Sequence, residues 1–177
     1  MKLIILDRDG VINQDSDNFI KTPDEFIPLA GSLEAITRLN KAGYTVAVAT
    51  NQSGIARGYY TVDALQQMHN KLNRLLAELG GHVDYIAFCP HGPDDNCDCR
   101  KPRPGMYFDI ADHFNGSLKD TSVIGDSLRD LQAAQAVGAT PYLVKTGKGE
   151  RTIAKGEGLD GVPVYDDLAA VVDELLK

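Results

Sequence analysis

The stretch Leu3-Ile4-Ile5-Leu6-Asp7-Arg8-Asp9-Gly10 decides the fold, because a short apolar run ends directly in two carboxylates. Residues 3–6 include no polar side chain, which predicts a strand that is buried on both faces, as in a parallel sheet. Open parallel sheets bind their ligands beyond the carboxyl ends of the strands. The stretch therefore predicts a buried strand that leads into a binding site.

Similar apolar runs alternate with segments of helical periodicity along the rest of the chain. Four more strands are predicted at residues 46–49, 85–88, 122–124 and 142–144. Helical stripes begin near Leu33, Leu65, Leu128 and Leu168, with Thr61 as the N-cap of the second. The polar, glycine-rich segment 146–161 is expected to be a long loop or a poorly ordered one. The alternation predicts an α/β fold, a doubly wound parallel sheet with helices on both faces.

Composition narrows the class of protein. The chain has 177 residues, 43% of them hydrophobic, which is enough core for one domain spanning residues 1–177. The formal net charge of −7 argues against nucleic acid and anionic membranes as partners. No apolar run approaches the ~20 residues that span a bilayer, and the N-terminus does not resemble a signal peptide. Because three cysteines is an odd number, a reducing cytoplasm is favoured. We also expect a monomer.

Carboxylates after two of the predicted strands indicate a divalent cation. Asp7 and Asp9 are two positions apart, and Asp126 follows another strand, so the sheet would bring all three to one edge. Mg²⁺ would relieve their repulsion, since it takes one or two carboxylates together with waters and phosphate oxygens. Taken alone, the first two carboxylates could equally be turn residues. Thr50 and Lys101 at the same edge favour the metal site.

Two further segments carry groups suited to a phosphoryl group. Thr50 and the backbone N–H groups up to Gly54 form a plausible phosphate cradle, although the same residues could be an ordinary strand-to-helix turn. Lys101 supplies a point charge for a phosphoryl oxygen, although most single lysines are solvated surface cations. Their place beside the carboxylates favours a phosphate site.

All three cysteines lie in one short segment together with a histidine. The four residues are Cys89, His91, Cys97 and Cys99, within eleven positions. Three thiols and an imidazole predict a tetrahedral zinc site, and a donor set that is complete without water predicts a structural zinc. The alternative is a flexible loop with three reduced thiols. The polar residues between the ligands have no core of their own, which favours the zinc.

In order and spacing these residues resemble the four motifs of the haloacid dehalogenase superfamily of phosphatases. The motifs stand here as Asp7-Arg8-Asp9-Gly10, Thr50-Asn51-Gln52, Lys101 and Gly125-Asp126-Ser127-Leu128-Arg129-Asp130. Within the superfamily, the sequence resembles phosphatases of heptose 1,7-bisphosphate through Thr50-Asn51-Gln52-Ser53-Gly54-Ile55-Ala56-Arg57-Gly58 and Cys99-Arg100-Lys101-Pro102. The resemblance implies a Rossmann-like haloacid dehalogenase core and a zinc loop at residues 89–99. The intervals between motifs are too short for a large cap domain.

The resemblance also implies roles for the site residues. Asp7 would be the nucleophile that forms an aspartyl-phosphate, and Asp9 the general acid and then the general base. Mg²⁺ would be held by Asp7, Asp126 and the backbone carbonyl of Asp9. Thr50 and Lys101 would stabilise charge on the transferring phosphoryl group. Substrate contacts are expected from Asp15, Ser16, Asp17, Asn18, Asn51, Gln52, Ser53, Arg100 and Ser127, and Asp130 would support the site from behind.

The implied reaction is removal of the 7-phosphate of D-glycero-D-manno-heptose 1,7-bisphosphate, a step toward ADP-heptose and the lipopolysaccharide core. A histidinol-phosphate phosphatase is the nearest alternative, because it shares the short interval between His91 and Cys97. That family has an aspartate where this chain has Ser53, and an ammonium-bearing substrate would favour the extra carboxylate. A phosphoryl-accepting receiver domain is an alternative of another class. It would place its acceptor aspartate after the third strand, where this chain has Cys89.

Overall fold

The computed structural model describes all 177 residues, and strands alternate with helices along the chain. The strands are β1 (Lys2–Leu6), β2 (Tyr44–Asn51), β3 (Tyr85–Cys89), β4 (Ser122–Gly125), β5 (Thr140–Val144) and β6 (Val164–Tyr165). The helices are α1 (Ser32–Lys41), α2 (Val62–Glu78), α3 (Gly105–Phe114), α4 (Leu128–Ala136), α5 (Gly149–Lys155) and α6 (Leu168–Leu175). All five strands that the apolar runs predict are present, each longer than its run.

The six strands form one parallel sheet in the order β3-β2-β1-β4-β5-β6. The chain moves from β1 outward through β2 and β3, and then restarts on the other side of β1 with β4. This reversal places a crevice at the carboxyl ends of β1 and β4, where doubly wound sheets bind ligands. Asp7 follows β1 and Asp126 follows β4, so the topology by itself brings these two carboxylates together.

The strand β1 is buried on both faces because its side chains alternate between two apolar clusters. Ile4 and Leu6 pack with residues of α1, α2 and α6. Leu3 and Ile5 pack with residues of α3 and α4 on the opposite face. Each such burial stabilises the fold by roughly 1.5–3 kcal/mol relative to an exposed side chain. The helices on both faces confirm the doubly wound arrangement that the continuous apolar run predicted.

The structure corrects the prediction for the C-terminal part of the chain. Segment 146–161, expected to be a long loop, contains helix α5. This helix has no apolar stripe to reveal it; instead Thr152 is buried, and its hydroxyl donates to the backbone oxygen of Asp126 at 2.8 Å. The edge strand β6 was also missed, because its two residues are too few to form a pattern. Tertiary contacts, rather than local sequence signals, define both elements.

Only short connections surround the crevice. A loop with one 3-10 turn (Pro23–Glu25) joins β1 to α1, and α2 alone crosses from β2 to β3. Helix α2 begins as predicted, because the Ala64 backbone N–H donates to the Thr61 hydroxyl at 3.1 Å. Neither connection folds into a separate cap, which agrees with the motif spacing. None of the helices has both the length and the apolar character needed to cross a bilayer.

Candidate active site

Three carboxylates gather at the carboxyl ends of β1 and β4. Oxygens of Asp7, Asp126 and Asp130 all lie within 4.8 Å of one another. Asp7 is fixed at the end of β1 because its backbone N–H donates to the Ile124 oxygen of β4 at 2.9 Å. Asp126 and Asp130 are almost completely buried. The sheet thus concentrates negative charge at the point where the sequence predicted it.

The electrostatics of this acidic cluster favour a bound cation. Burial, followed by the charge of Asp130, raises the pKa of Asp7 to about 6. Burial and the charge of Asp7 raise the pKa of Asp126 well above its ordinary value. A divalent cation among these oxygens would favour their ionised forms. Because Mg²⁺ prefers oxygen ligands of this kind, the residues fit that ion.

Lys101 partly neutralises the acidic cluster through two protons of its ammonium group, and the third binds a backbone oxygen. Its Nζ donates to Asp130 at 2.6 Å, to the backbone oxygen of Ala49 at 2.8 Å and to Asp7 at 3.1 Å. Burial alone would lower the pKa of Lys101, but the charges of Asp130 and Asp7 raise it, so the ammonium stays charged. The positive charge is therefore fixed beside the oxygen of Asp7.

Asp9 faces the same crevice but belongs to a separate network. Its Oδ1 accepts from the Arg8 guanidinium and from the Asn13 amide, each at 2.8 Å, and its Oδ2 accepts from the Gln52 amide at 3.0 Å. Burial alone would raise the pKa of Asp9, but Arg8 and these hydrogen bonds outweigh it and lower the pKa. The carboxylate is not part of the acidic cluster, which leaves the backbone carbonyl of Asp9 as the group expected to bind metal.

A segment after β5, which the sequence did not indicate, encloses Asp126. The Lys148 backbone N–H donates to Oδ2 of Asp126 at 2.8 Å. Gly10 and Gly147 approach each other beside this oxygen, and a Cβ on either glycine would collide with it. Both glycines have positive φ, 89° and 59°, so conformation and space alike exclude a side chain. The Thr146 hydroxyl donates to the Gly10 oxygen at 2.7 Å and joins the two segments.

A cavity of about 270 Å³ opens above Asp7. The predicted residues on its wall are Asp7, Asp9, Asp15, Ser16, Asp17, Asn51, Gln52, Ser53, Arg100, Lys101, Asp126 and Ser127. Two predicted residues lie off the wall. Thr50 is buried behind it, where its hydroxyl accepts from the Gln52 amide at 2.9 Å. Asn18 is exposed, and its backbone oxygen accepts from the Lys21 ammonium at 2.7 Å.

The side-chain amides of Asn51 and Gln52, which were predicted sugar contacts, are both bound to protein partners. The Asn51 amide exchanges hydrogen bonds with the backbone of Lys101, at 3.0 and 3.2 Å. The Gln52 amide donates to Asp9 and accepts from the Tyr60 hydroxyl. These side chains hold catalytic candidates in place, which is a role that the sequence analysis did not assign to them.

Three cations on the cavity wall were absent from the predicted site residues. They are Arg57, Arg129 and Lys148. Arg57 and Arg129 share this cavity wall with Arg100. Burial, together with the charges of Arg129 and Arg57, lowers the pKa of Arg100. The positions of Arg57 and Arg129 inside recognised motifs were a usable signal, whereas Lys148 follows a strand without any motif.

Two ion pairs tie the loop at residues 15–17 to α5 across the rim of the cavity. Lys148 contacts Asp15 at 2.6 Å. Arg151 forms a bidentate salt bridge with Asp17, in which both hydrogen bonds are 2.9 Å long. The predicted loop contacts therefore have a defined position, set by a helix that the sequence did not predict.

The thiol cluster, formed by Cys89, His91, Cys97 and Cys99, lies beside the same cavity at the start of the segment that carries Lys101. Its four donor atoms lie within 4.8 Å of one another, and all three cysteines are free thiols. Nδ1 of His91 is 3.3 Å from Sγ of Cys99 and 3.5 Å from Sγ of Cys89. Burial raises the pKa of the Cys89 and Cys99 thiols, so a cation would be needed to hold them as thiolates. Three sulfurs and one nitrogen fit a closed tetrahedral zinc site.

The parallel sheet and its acidic edge define a hydrolase of the haloacid dehalogenase type. Family models that match the sequence agree with this assignment. The HAD-hydrolase-like family model matches residues 98–171. The polynucleotide kinase 3 phosphatase model matches residues 2–134.

More specific relatives share the whole chain. The D-glycero-β-D-manno-heptose-1,7-bisphosphate 7-phosphatase of Pseudomonas putida is 60% identical over 99% of this chain and 100% of its own. The crystal structure of the D,D-heptose 1,7-bisphosphate phosphatase from Bordetella bronchiseptica, complexed with magnesium and phosphate, is 58% identical, covers 99% of this chain and 98% of that chain, and has a TM-score of 0.97. The corresponding Burkholderia thailandensis structure is 46% identical, covers 100% and 99% of the two chains and has a TM-score of 0.79. The chain belongs to the heptose 1,7-bisphosphate 7-phosphatase family.

Proposed function

We propose that this chain removes the 7-phosphate of D-glycero-β-D-manno-heptose 1,7-bisphosphate, with Mg²⁺ as cofactor and an aspartyl-phosphate on Asp7 as intermediate. The observation that carries the proposal is the 60% identity to the Pseudomonas putida phosphatase over almost the whole of both chains. The names of that relative and of the Bordetella bronchiseptica relative specify the β anomer, which the sequence alone left open. The magnesium in the Bordetella bronchiseptica structure supports the choice of ion.

Asp7 acts as the nucleophile. Its carboxylate attacks the 7-phosphorus, a phosphorus–oxygen bond forms to Asp7, and the bond to the sugar oxygen breaks. Mg²⁺, held by Asp7, Asp126 and the backbone carbonyl of Asp9, would neutralise charge on the carboxylates and the phosphoryl oxygens. The Lys101 ammonium, 3.1 Å from Asp7, adds a fixed positive charge beside the reacting atoms. The Thr50 hydroxyl accepts from the Gln52 amide in the absence of substrate, and its own proton would be donated to the phosphoryl group when substrate binds.

Asp9 moves the proton in both halves of the reaction. It gives a proton to the departing sugar oxygen, and then accepts one from the water that hydrolyses the aspartyl-phosphate. In the absence of substrate Arg8 keeps Asp9 as a carboxylate, which suits the second half. The negative charges of an arriving bisphosphate would favour the protonated form needed for the first half.

Arg100 binds the phosphate that does not react. Arg57 and Arg129 lie on the same wall, and three planar cations suit the several oxygens of one phosphate. The hydroxyls and carboxylates expected to face the sugar are those on the cavity wall, from Asp15, Ser16, Asp17, Ser53 and Ser127. The Asn51 amide holds the Lys101 backbone, and the Gln52 amide holds Asp9. A structural zinc in the thiol cluster fixes the segment from which Arg100 and Lys101 extend. We further propose a monomer in the cytoplasm.

The test is phosphate release from purified enzyme with Mg²⁺, using both anomers of the heptose 1,7-bisphosphate, fructose 1,6-bisphosphate and histidinol phosphate. We expect the largest kcat/KM for the β heptose bisphosphate. Phosphorus NMR of the product should show that the C1 phosphate is retained. A larger kcat/KM for histidinol phosphate, or loss of the C1 phosphate, would contradict the proposal.

A further inference from the structure

Arg8 carries a full positive charge with no exposure to solvent. Buried charges of this kind need partners, because the cost of removing them from water is large. Asp9 is the carboxylate bonded to Arg8: Nη2 donates to Oδ1 of Asp9 at 2.8 Å and Nε donates to the same oxygen at 3.3 Å. Arg8, together with the Asn13 amide, thus sets the position of Oδ1 of Asp9. Oδ2 lies on the crevice side, where it accepts from the Gln52 amide at 3.0 Å.

The far side of the Arg8 guanidinium rests on α2. Nη1 of Arg8 lies 3.3 Å from Nε2 of His69, and the same nitrogen lies 3.7 Å from the sulfur of Met68. The ring of Phe26 packs against the guanidinium, with Cζ 5.3 Å from the ring centre. The only strong acceptor on this side is therefore the imidazole of His69.

His69 is suited to that role because it stays neutral. It is 5% exposed, and burial together with the positive charge of Arg8 lowers its pKa to about 3. A neutral imidazole has one ring nitrogen free to accept, and the contact with Arg8 places the acceptor at Nε2. A histidine on a helix, with no role in the reaction as described above, thus completes the coordination of a buried cation.

We propose that His69 is a positioning residue for Asp9 and acts through Arg8. The inference rests on the proposed function, in which Asp9 protonates the departing sugar oxygen. Removing the acceptor leaves an N–H of a buried guanidinium unpaired, which favours displacement of Arg8 toward another partner. Because Arg8 holds Oδ1 of Asp9, the displacement would turn Oδ2 away from the leaving oxygen. Proton transfer needs heavy-atom distances of about 2.6–3.2 Å, so a small rotation matters.

The test exploits the leaving group. A sugar alkoxide needs protonation as it departs, whereas p-nitrophenolate does not. The kcat/KM value reports the steps up to release of the leaving group, which separates acid catalysis from hydrolysis of the intermediate. The two substrates are the heptose bisphosphate and p-nitrophenyl phosphate, and the variants are His69→Leu, His69→Gln and Asp9→Asn. Gln keeps an acceptor oxygen at a similar reach, and Leu removes it.

We expect His69→Leu to lower kcat/KM for the sugar bisphosphate by about 10-fold or more, but by less than the full 10²–10⁴-fold that general acid catalysis contributes. For the aryl phosphate it should change kcat/KM by less than about threefold. His69→Gln should recover most of the loss. Leu72→Ala, a core truncation on the same helix, is the control for destabilisation and should change both substrates by the same factor. If His69→Leu does not fold, His69→Asn, which is too short to reach Arg8, replaces it.

Equal losses on both substrates, no loss, or no recovery in His69→Gln would overturn the inference. Asp9→Asn separates this failure from that of the proposed function. If Asp9→Asn is selective for the sugar bisphosphate and His69→Leu is not, only the role of His69 is wrong. If Asp9→Asn shows no selectivity, Asp9 is not the acid, and the proposed roles of Asp9 and His69 both fall. The choice of substrate is tested separately by phosphate release from the wild type.

Discussion

The two clusters of candidate metal ligands in this chain are built in different ways. The acidic cluster takes Asp7, Asp126 and Asp130 from the end of one strand, the end of another and the first turn of α4, so the sheet sets its geometry. The thiol cluster takes all four ligands from one segment of eleven residues. A site assembled by the sheet keeps its shape without its ion, whereas a local loop depends on its metal for structure. Removal of Mg²⁺ should therefore abolish activity and leave the fold intact, whereas removal of zinc should disorder the loop that carries the thiol cluster.

The largest effect is expected from Asp7→Asn. Loss of the nucleophile should lower kcat by on the order of 10⁴-fold or more. Without Mg²⁺, the melting temperature should not fall, because burial and Asp130 already disfavour the charge of Asp7 in the folded state. Phosphate release and thermal unfolding measure the two outcomes, with the exposed Asp160→Asn as control. If Asp7→Asn, free of Mg²⁺ but with its zinc retained, melts well below the wild type under the same conditions, the claim that the sheet alone shapes this cluster is contradicted.

Arg100 and Lys101 link the thiol cluster to the reaction site, since they are the two residues that follow Cys99. Lys101→Ala should lower kcat by about 10²–10³-fold, because its ammonium acts on charge that develops in the transition state. Arg100→Ala should instead raise KM for the bisphosphate and leave kcat nearly unchanged, because it holds a group that does not react. Steady-state kinetics on the bisphosphate and on a small monophosphate distinguish them. Equal loss of kcat on both substrates in Arg100→Ala would place Arg100 at the reaction centre.

Cys97→Ser tests the thiol cluster. We expect the wild type to be purified with a single zinc ion per chain and the variant with well below one, because a closed site loses affinity when a thiolate is removed. Activity should fall by about 10- to 100-fold, as is common when residues behind a site are disturbed. Elemental analysis and kinetics measure both, and Asp94→Ser in the same loop is the matched control. A wild-type preparation that contains no zinc and has full activity would contradict the proposal of a structural zinc.

The smallest effect expected concerns Gly147, beside Asp126. Gly147→Ala and Gly138→Ala both force alanine into positive φ, at 59° and 74°, which should cost roughly 1–2 kcal/mol of stability at each position. At Gly147 the collision of the new Cβ with its neighbours adds to that cost. Only at Gly147 would the new Cβ collide with Asp126, since the space around Gly138 is open. We therefore expect Gly147→Ala alone to raise the Mg²⁺ concentration that gives half of the maximal activity, by about 10-fold. The same Mg²⁺ dependence in both variants would show that the segment after β5 does not position the metal ligand.

The sequence predicted well what depends on strands and their ends. The apolar run before Asp7 determines a strand buried on both faces, and a parallel sheet then determines which carboxylates meet. It predicted poorly what depends on contacts across the fold. Helix α5 has no apolar stripe, and Lys148 reaches the cavity only because α5 packs beside Asp126. The amides of Asn51 and Gln52 could not be distinguished from sugar ligands, because their partners are the backbone of Lys101 and the carboxylate of Asp9, which lie 50 and 43 positions away.

The paired hydrogen bonds between Asn51 and the backbone of Lys101 affect how well the loop of the thiol cluster can tolerate insertions. They join the end of β2 to the exit of the thiol loop, and Cys89 joins its entry to the end of β3, so both ends of the loop are anchored to the sheet. The residues between His91 and Cys97 are mostly exposed and contribute nothing to either apolar cluster. Since closing a longer loop between fixed ends costs little extra, only ~0.6 kcal/mol for each doubling, insertions there should leave the reaction unchanged and give related chains a place to acquire new contacts at the rim.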